Sequence, residues 1–128
     1  MSNSPGKSPK PQVIHGLGTI CRALVTDENF QNEKLRPVLV ISKTQDIRPD
    51  GDVYVACITT SYKRPATKPL FALPWAADGS CSTKLRQECA VKCVWIRLVP
   101  HQKLKPPFGR LDNGQLLPIL HYINSLKT

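Results

Sequence analysis

KLRPVLVIS, residues Lys34 to Ser42, is the stretch from which the rest of this chain is read. A basic, turn-prone lead-in meets the Arg36–Pro37 step, then a run of branched apolar residues that closes on a hydroxyl. The pattern predicts a buried strand over Pro37–Lys43, with a loop delivering the Arg36 guanidinium to its root. Proline suits the first residue of a strand, where no ladder donor is lost. It also biases Arg36 towards extended backbone. On this segment alone two readings stand. Arg36 is either an ordinary surface arginine or a rigidly mounted fork for phosphate.

Outward from this strand the pattern stays that of a small β protein. Strands are predicted over Gly18–Thr26, Pro37–Lys43, Val53–Thr60, Leu70–Pro74 and Ala90–Arg97. Each is short, rich in Val, Ile, Thr, Leu or Ala, and bounded by turn residues. The second and third are almost continuously apolar, which implies burial on both faces or in a closed barrel. Arg48-Pro49-Asp50-Gly51-Asp52 between them predicts a hairpin turn. Two longer loops remain, Asp27–Leu35 and Ser61–Lys68. Near the C-terminus the period changes. Leu116, Ile119, Leu120 and Ile123 make one apolar helical face. Asp112 and Gln115 have the spacing of a capping box. Pro118 conflicts with a helix interior, so the helix is expected to start near Leu116 with Pro118 in its first turn.

With 128 residues the chain has room for one ordinary domain. Residues 1–12 form a Ser/Pro/Lys tail too polar to offset the cost of ordering, so disorder is expected there and a single domain over 13–128. No apolar run is long enough to span a membrane and no signal-peptide core follows the N-terminus. A cytoplasmic protein is the expectation. Lysine and arginine number 18 against 9 acids, for a net charge of +9. From Ala56 onward 11 basic residues face only Asp78, Glu88 and Asp112. Such a domain expects a polyanion, an acidic protein, or both.

Five cysteines, Cys21, Cys57, Cys81, Cys89 and Cys93, read as reduced thiols. Cys21, Cys57 and Cys93 are expected to be small core residues. The spacing of Cys81, Cys89 and Cys93 lacks the tight pairing of a zinc ribbon. His15, His101 and His121 form no ligand or triad pattern, so no metal site is expected.

Four segments together resemble the MazF/PemK toxin family, the ribonuclease halves of bacterial toxin–antitoxin pairs. They are GTICRALV (Gly18–Val25), KLRPVLVIS, VYVACITTS (Val53–Ser61), and TKLRQECAVKCVWIRLVP (Thr83–Pro100) running into FGRLDNGQLLPILHYI (Phe108–Ile123). The likeness covers about residues 14 to 127 and rests on order and spacing. It implies a mainly β fold, a small SH3-like barrel of five to seven strands with a C-terminal helix, assembled as a homodimer. It also implies metal-independent, cofactor-free cleavage of single-stranded RNA by the ribose 2′-hydroxyl, and an acidic antitoxin protein as partner.

By that resemblance Arg36 matches the catalytic arginine and Thr59 the threonine that contacts the scissile phosphate. Arg and Thr at the ends of neighbouring strands would meet over one phosphate. Gln31, Glu33, Thr60, Ser61, Lys63, Arg64 and Lys92 are the expected RNA-binding residues. Gln31 and Glu33 lie near the Arg36–Pro37 step, and of these two only Glu33 can act as a base or acid. The family's close Arg and Asp on the penultimate strand match Lys92 and Val94, so a carboxylate is missing there. Tyr62 is placed to stack on a base, whereas Trp75 and Trp95 are expected in the core or an interface. Three functions compete: an endoribonuclease toxin, a catalytically weak or inactive module that binds RNA or an acidic protein, and a toxin of the same fold acting on DNA gyrase.

Overall fold

The computed structural model describes residues 15–126. The proposed tail over 1–12 lies outside them. Six strands follow in order: β1 Thr19–Val25, β2 Lys34–Val40, β3 Asp52–Thr59, β4 Leu70–Ala72, β5 Ala90–Pro100 and β6 Gly109–Arg110. One helix, α1 Asn113–Ser125, closes the chain. The strands form one antiparallel sheet in the order β4-β5-β3-β2-β1-β6. The mainly β expectation with a terminal helix is met, with six strands in a curled sheet.

Why strands two and three are apolar throughout is now plain: the sheet is covered on both sides. On one side Ile20, Leu39, Ala56, Ile58 and Val91 pack with Leu116, Ile119 and Ile123 of α1. On the other, Cys21, Ala23, Val38, Val40, Val55, Cys57 and Trp95 pack among themselves, with Ile47 and Leu104 from the connections. The sheet therefore curls around its own second core. Each of these large aliphatic side chains contributes about 1.5–3 kcal/mol on burial. Cys21, Cys57 and Cys93 are all fully buried small residues, as expected.

The strand ends differ from the sequence reading in instructive ways. The second strand runs Lys34–Val40, not Pro37–Lys43, so Pro37 is its fourth residue. It pairs with Arg22 on the β1 side. The ladder to β3 begins only at Val38–Cys57, so Pro37 lies just beyond the pairing on that side. The β2–β3 connection is longer than a hairpin. It holds a 3₁₀ turn at Thr44–Asp46 before the chain turns at Arg48–Gly51. Strand β4 ends at Ala72 rather than Pro74, and β5 continues to Pro100.

Helix α1 starts earlier than expected. Asp112 caps it, its carboxylate accepting from the Gln115 amide at 3.0 Å. Pro118 is thus inside the helix and forfeits the bond to the Gly114 carbonyl. Both residues are exposed, so water can satisfy that carbonyl. At the opposite sheet edge, β6 is pressed onto the loop before β5. A Cβ on Gly109 would lie 1.9 Å from the Thr83 carbonyl oxygen, so only glycine fits. His15 is buried against His101, its Nε2 bonded to the Lys105 carbonyl at 2.7 Å, which ties the first described residue to the turn after β5.

Candidate active site

Alternation along the strands decides which side chains share a face. Val55 and Cys57 of β3 belong to the second core, so Thr59 lies on that side. Val38 and Val40 of β2 belong there too, so Arg36 does as well. The β2–β3 register pairs Val40 with Val55, Leu39 with Ala56 and Val38 with Cys57. Extended by two residues, it sets Arg36 opposite Thr59. The structure thus brings the two expected catalytic positions to one sheet face, just past the last ladder pair.

Strand β5 adds to the same face through an irregularity. Its pairing with β3 shifts between Ala56–Ile96 and Ile58–Val91, leaving four β5 residues, Lys92 to Trp95, against Cys57. Trp95 is buried there, and Arg36 lies over its ring at 5.3 Å. Arg97, opposite Val55, joins the cluster. Cys57 feels the charges of Arg97, Arg36 and Glu28. Burial outweighs the two arginines and pushes its thiol up to about 12. Cys57 is therefore a neutral floor and not a nucleophile.

The connection from β1 to β2 folds over this face and engages Arg36, Arg97 and Lys92. Arg36 donates through Nε to the Val25 carbonyl at 3.3 Å and through Nη2 to the Asn32 carbonyl at 3.0 Å. Trp95 donates to the Thr26 carbonyl at 3.1 Å. Arg97 donates to the Thr26 hydroxyl at 3.1 Å and to the Asp27 carbonyl, and its head lies over Phe30 at 4.3 Å. Lys92 forms a 2.8 Å ion pair with Glu28. Asp27 holds the connection in shape. Its carboxylate accepts from the Asn29 and Gln31 amides and from the Asn32 side chain. The Gln31 amide and the Asn32 side chain hold its pKa below the ordinary carboxylate range, against the opposing effect of desolvation. Phe30 and Asn32 have φ of 60° and 55°, a left-handed backbone that non-glycine residues adopt under constraint.

A sequence model described as PemK-like, MazF-like toxin of type II toxin–antitoxin system matches residues 18–126. The chain belongs to the PemK/MazF toxin family. No curated protein sequence matches it. Solved structures share the fold at low identity. An endoribonuclease in complex with its cognate antitoxin, from a mycobacterial species, has a TM-score of 0.61 at 18% identity, covering 87% of this chain and 95% of that one. A MazE–MazF structure from Deinococcus radiodurans gives 0.64 at 14%, covering 91% and 97%. The Mycobacterium tuberculosis toxin MazF-mt6 gives 0.57 at 20%, covering 84% and 96%.

The other residues expected to bind RNA in this PemK/MazF chain are dispersed. Gln31 and Glu33 are exposed on the β1–β2 connection, and among the described residues Glu33 makes no ion pair. The Thr59 hydroxyl turns to Ser61, accepting from its amide at 3.0 Å. Lys63 is exposed, whereas Arg64 folds back on its own loop. It pairs with Glu88 at 2.8 Å, donates to the Thr60 and Tyr62 carbonyls and covers the Tyr62 ring. Tyr62 is therefore already stacked. Thr60 points to the opposite side of the sheet, by alternation with Thr59. Trp75 is 43% exposed and no part of the core.

Sequence reasoning missed Arg97 and Glu28. Arg97 was legible in part, since Trp95 and Arg97 alternate and so share a face. Glu28 was not, because only the folded connection brings it to Lys92. Among the described residues no group of three or more His, Cys, Asp or Glu side chains is arranged to hold a metal. No described helix is long and apolar enough to cross a membrane.

Proposed function

We propose that this chain is the toxin of a type II toxin–antitoxin pair and cleaves single-stranded RNA in the cytoplasm. The observation that carries the reading is the gathering of Arg36, Arg97, Lys92 and Thr59 on one sheet face under a single clamped connection. The 2′-oxygen attacks the adjacent phosphorus and the bond to the 5′-oxygen breaks, leaving a 2′,3′-cyclic phosphate and a 5′-hydroxyl. Charge builds on the non-bridging oxygens in the transition state. Arg36 and Arg97 are fixed by backbone carbonyls on one side, so they meet that charge with little reorganisation. Thr59 offers a hydroxyl donor, and Lys92 a point charge.

Proton transfer falls to Glu28. Asp27 is occupied by its three hydrogen bonds, and β5 carries no acid between Lys92 and Arg97. Glu28 supplies from the loop the carboxylate that the strand lacks. In this step it takes the 2′-hydroxyl proton once RNA displaces its contact with Lys92, and solvent protonates the departing 5′-oxygen. A carboxylate supplied from the loop weighs against a module that only binds.

The partners follow from charge and exposure. An acidic antitoxin segment would neutralise the same cations and exclude RNA. A second copy of the chain would cover Tyr54 and Leu98. These face each other across β3 and β5, both more than half exposed, beside a cleft of about 250 Å³ that includes Ile41, Ile96 and Leu120.

The test is incubation of the purified protein with a long single-stranded RNA in EDTA, with Arg36→Ala and Glu28→Gln alongside. Discrete fragments ending in cyclic phosphate, from wild type and not from Arg36→Ala, are expected. Equal cleavage by Arg36→Ala would refute the mechanism. Equal cleavage by Glu28→Gln would remove that residue's role alone.

A further inference from the structure

On the reverse side of the β3 end lies a cavity of about 710 Å³ that the chemistry above does not use. Pro37, Ile58 and Thr60 reach it, each alternating with a residue of the Arg36 face. Its far wall is Phe108, carried there by β6 and by the tight seat of Gly109 on Thr83.

The chemistry of the walls is one-sided. Arg22, Lys84 and Arg86 line the cavity and no carboxylate does. Arg22 lies over the Phe108 ring at 5.2 Å, a cation–π contact. Among the described residues the Lys84 and Arg86 side chains make no hydrogen bond and no ion pair. The Arg86 head rests where Gly79 has no side chain; a Cβ there would lie 3.1 Å from Arg86 Nε. Glu88, the acid nearest in sequence, is committed to Arg64.

We propose that this cavity is a nucleotide subsite for single-stranded RNA, taking the nucleotide next to the one cleaved at Arg36 and Thr59. Three cations without counter-charges match a phosphate, and the Arg22–Phe108 pair offers the face of a base a guanidinium or ring plane to stack on. An acidic peptide would satisfy the cations but has no use for the aromatic wall. Continuity supports RNA as well. Thr59 and Thr60 are successive residues pointing to opposite faces, so a chain crossing the β3 end passes from one site to the other. The location relative to the cut rests on the endoribonuclease reading; the binding does not.

The experiment compares Lys84→Gly/Arg86→Ala and Phe108→Leu with the parent protein. Lys84 has a φ of 60°, so glycine removes its side chain without backbone strain. Binding of a fluorescein-labelled 12-nucleotide RNA of random sequence is read by anisotropy across a salt series, in an Arg36→Ala background that keeps the RNA intact. The double variant is expected to bind roughly tenfold more weakly, the size of one lost charge-assisted hydrogen bond. Its dependence of log Kd on log salt should fall by about 0.7 for each phosphate contact removed. Phe108→Leu should weaken binding and leave that slope unchanged. In the cleaving protein, sequencing fragment ends from a random RNA pool should show base preference flattened at one flanking position.

Unchanged affinity and salt slope in the double variant would overturn the proposal. So would a loss confined to a glutamate-rich peptide, which would make the cavity a protein-binding site. Intact RNA with wild type, together with weakened RNA binding in the double variant, would sink the endoribonuclease reading and leave the subsite standing.

Discussion

On one face of the β3 end, Arg36, Arg97 and Lys92 are each held by the β1–β2 connection. On the other, Lys84 and Arg86 hold nothing among the described residues. The two sets of cations differ in how far their geometry is settled before any ligand arrives. A held guanidinium stabilises a developing charge without moving, which is what a reaction needs. A free one binds by shedding its counter-ions, which favours affinity and makes it sensitive to salt. On the proposed reading, the same strand end separates chemistry from grip.

The largest expected effect breaks the first face. Arg36→Ala should lower kcat by roughly 10²–10³-fold, as loss of one preorganised donor does. Arg36→Lys should recover little, because an ammonium cannot span the Val25 and Asn32 carbonyls as the guanidinium does. Single-turnover cleavage with saturating enzyme measures both.

Gly109→Ala attacks the second face through the fold. The new Cβ would meet the Thr83 backbone, so a loss of about 3 kcal/mol or more in urea unfolding is expected. A variant as stable as wild type would show that β6 and the Thr83 loop yield easily.

Asp27→Ala sharpens the contrast by turning held cations into free ones. It removes three hydrogen bonds from the connection and deletes no cation. We expect kcat to fall roughly tenfold through misplacement of Arg36 and Arg97, with RNA affinity kept. If kcat holds, the connection is not what positions the arginines.

The smallest effect lies away from both faces. Burial, and then the charge of His15, hold the His101 imidazole below its ordinary pKa. The unfolded chain takes up this proton first, as pH falls below about 6.5. The contribution is thus complete above that pH and is lost as pH falls towards the folded value. Urea midpoints between pH 7.5 and 5.5 should decline in wild type and decline less in His101→Gln. Asp27 and Asp78, whose pKa values are also lowered, lose their contributions only in more acid solution, below about pH 4.

Much of the sheet was readable because strand residues announce themselves by composition and strand ends by Gly, Pro and Asp. Arg36 and Thr59 could be assigned to one face by counting in twos from Val38 and Cys57. Counting failed on β5, where the shifted pairing places four residues against one and alters which side chains meet. The clamp over the arginines was hidden for a different reason. Its acceptors are the backbone carbonyls of Val25, Thr26, Asp27 and Asn32, which no side-chain pattern reveals. The second cavity joins Arg22 to Arg86 and Phe108 across distant parts of the chain, and the β1–β6 pairing together with the seat of β6 on the Thr83 loop makes them neighbours.

Four of the five thiols are buried, and Cys81 alone reaches the surface. Its carbonyl accepts from the Lys84 amide at 2.9 Å, at the edge of the basic cavity. A thiol-directed fluorophore added to the native protein will therefore report from a single address, beside the proposed RNA grip. The chain carries its own attachment point for watching a ligand arrive.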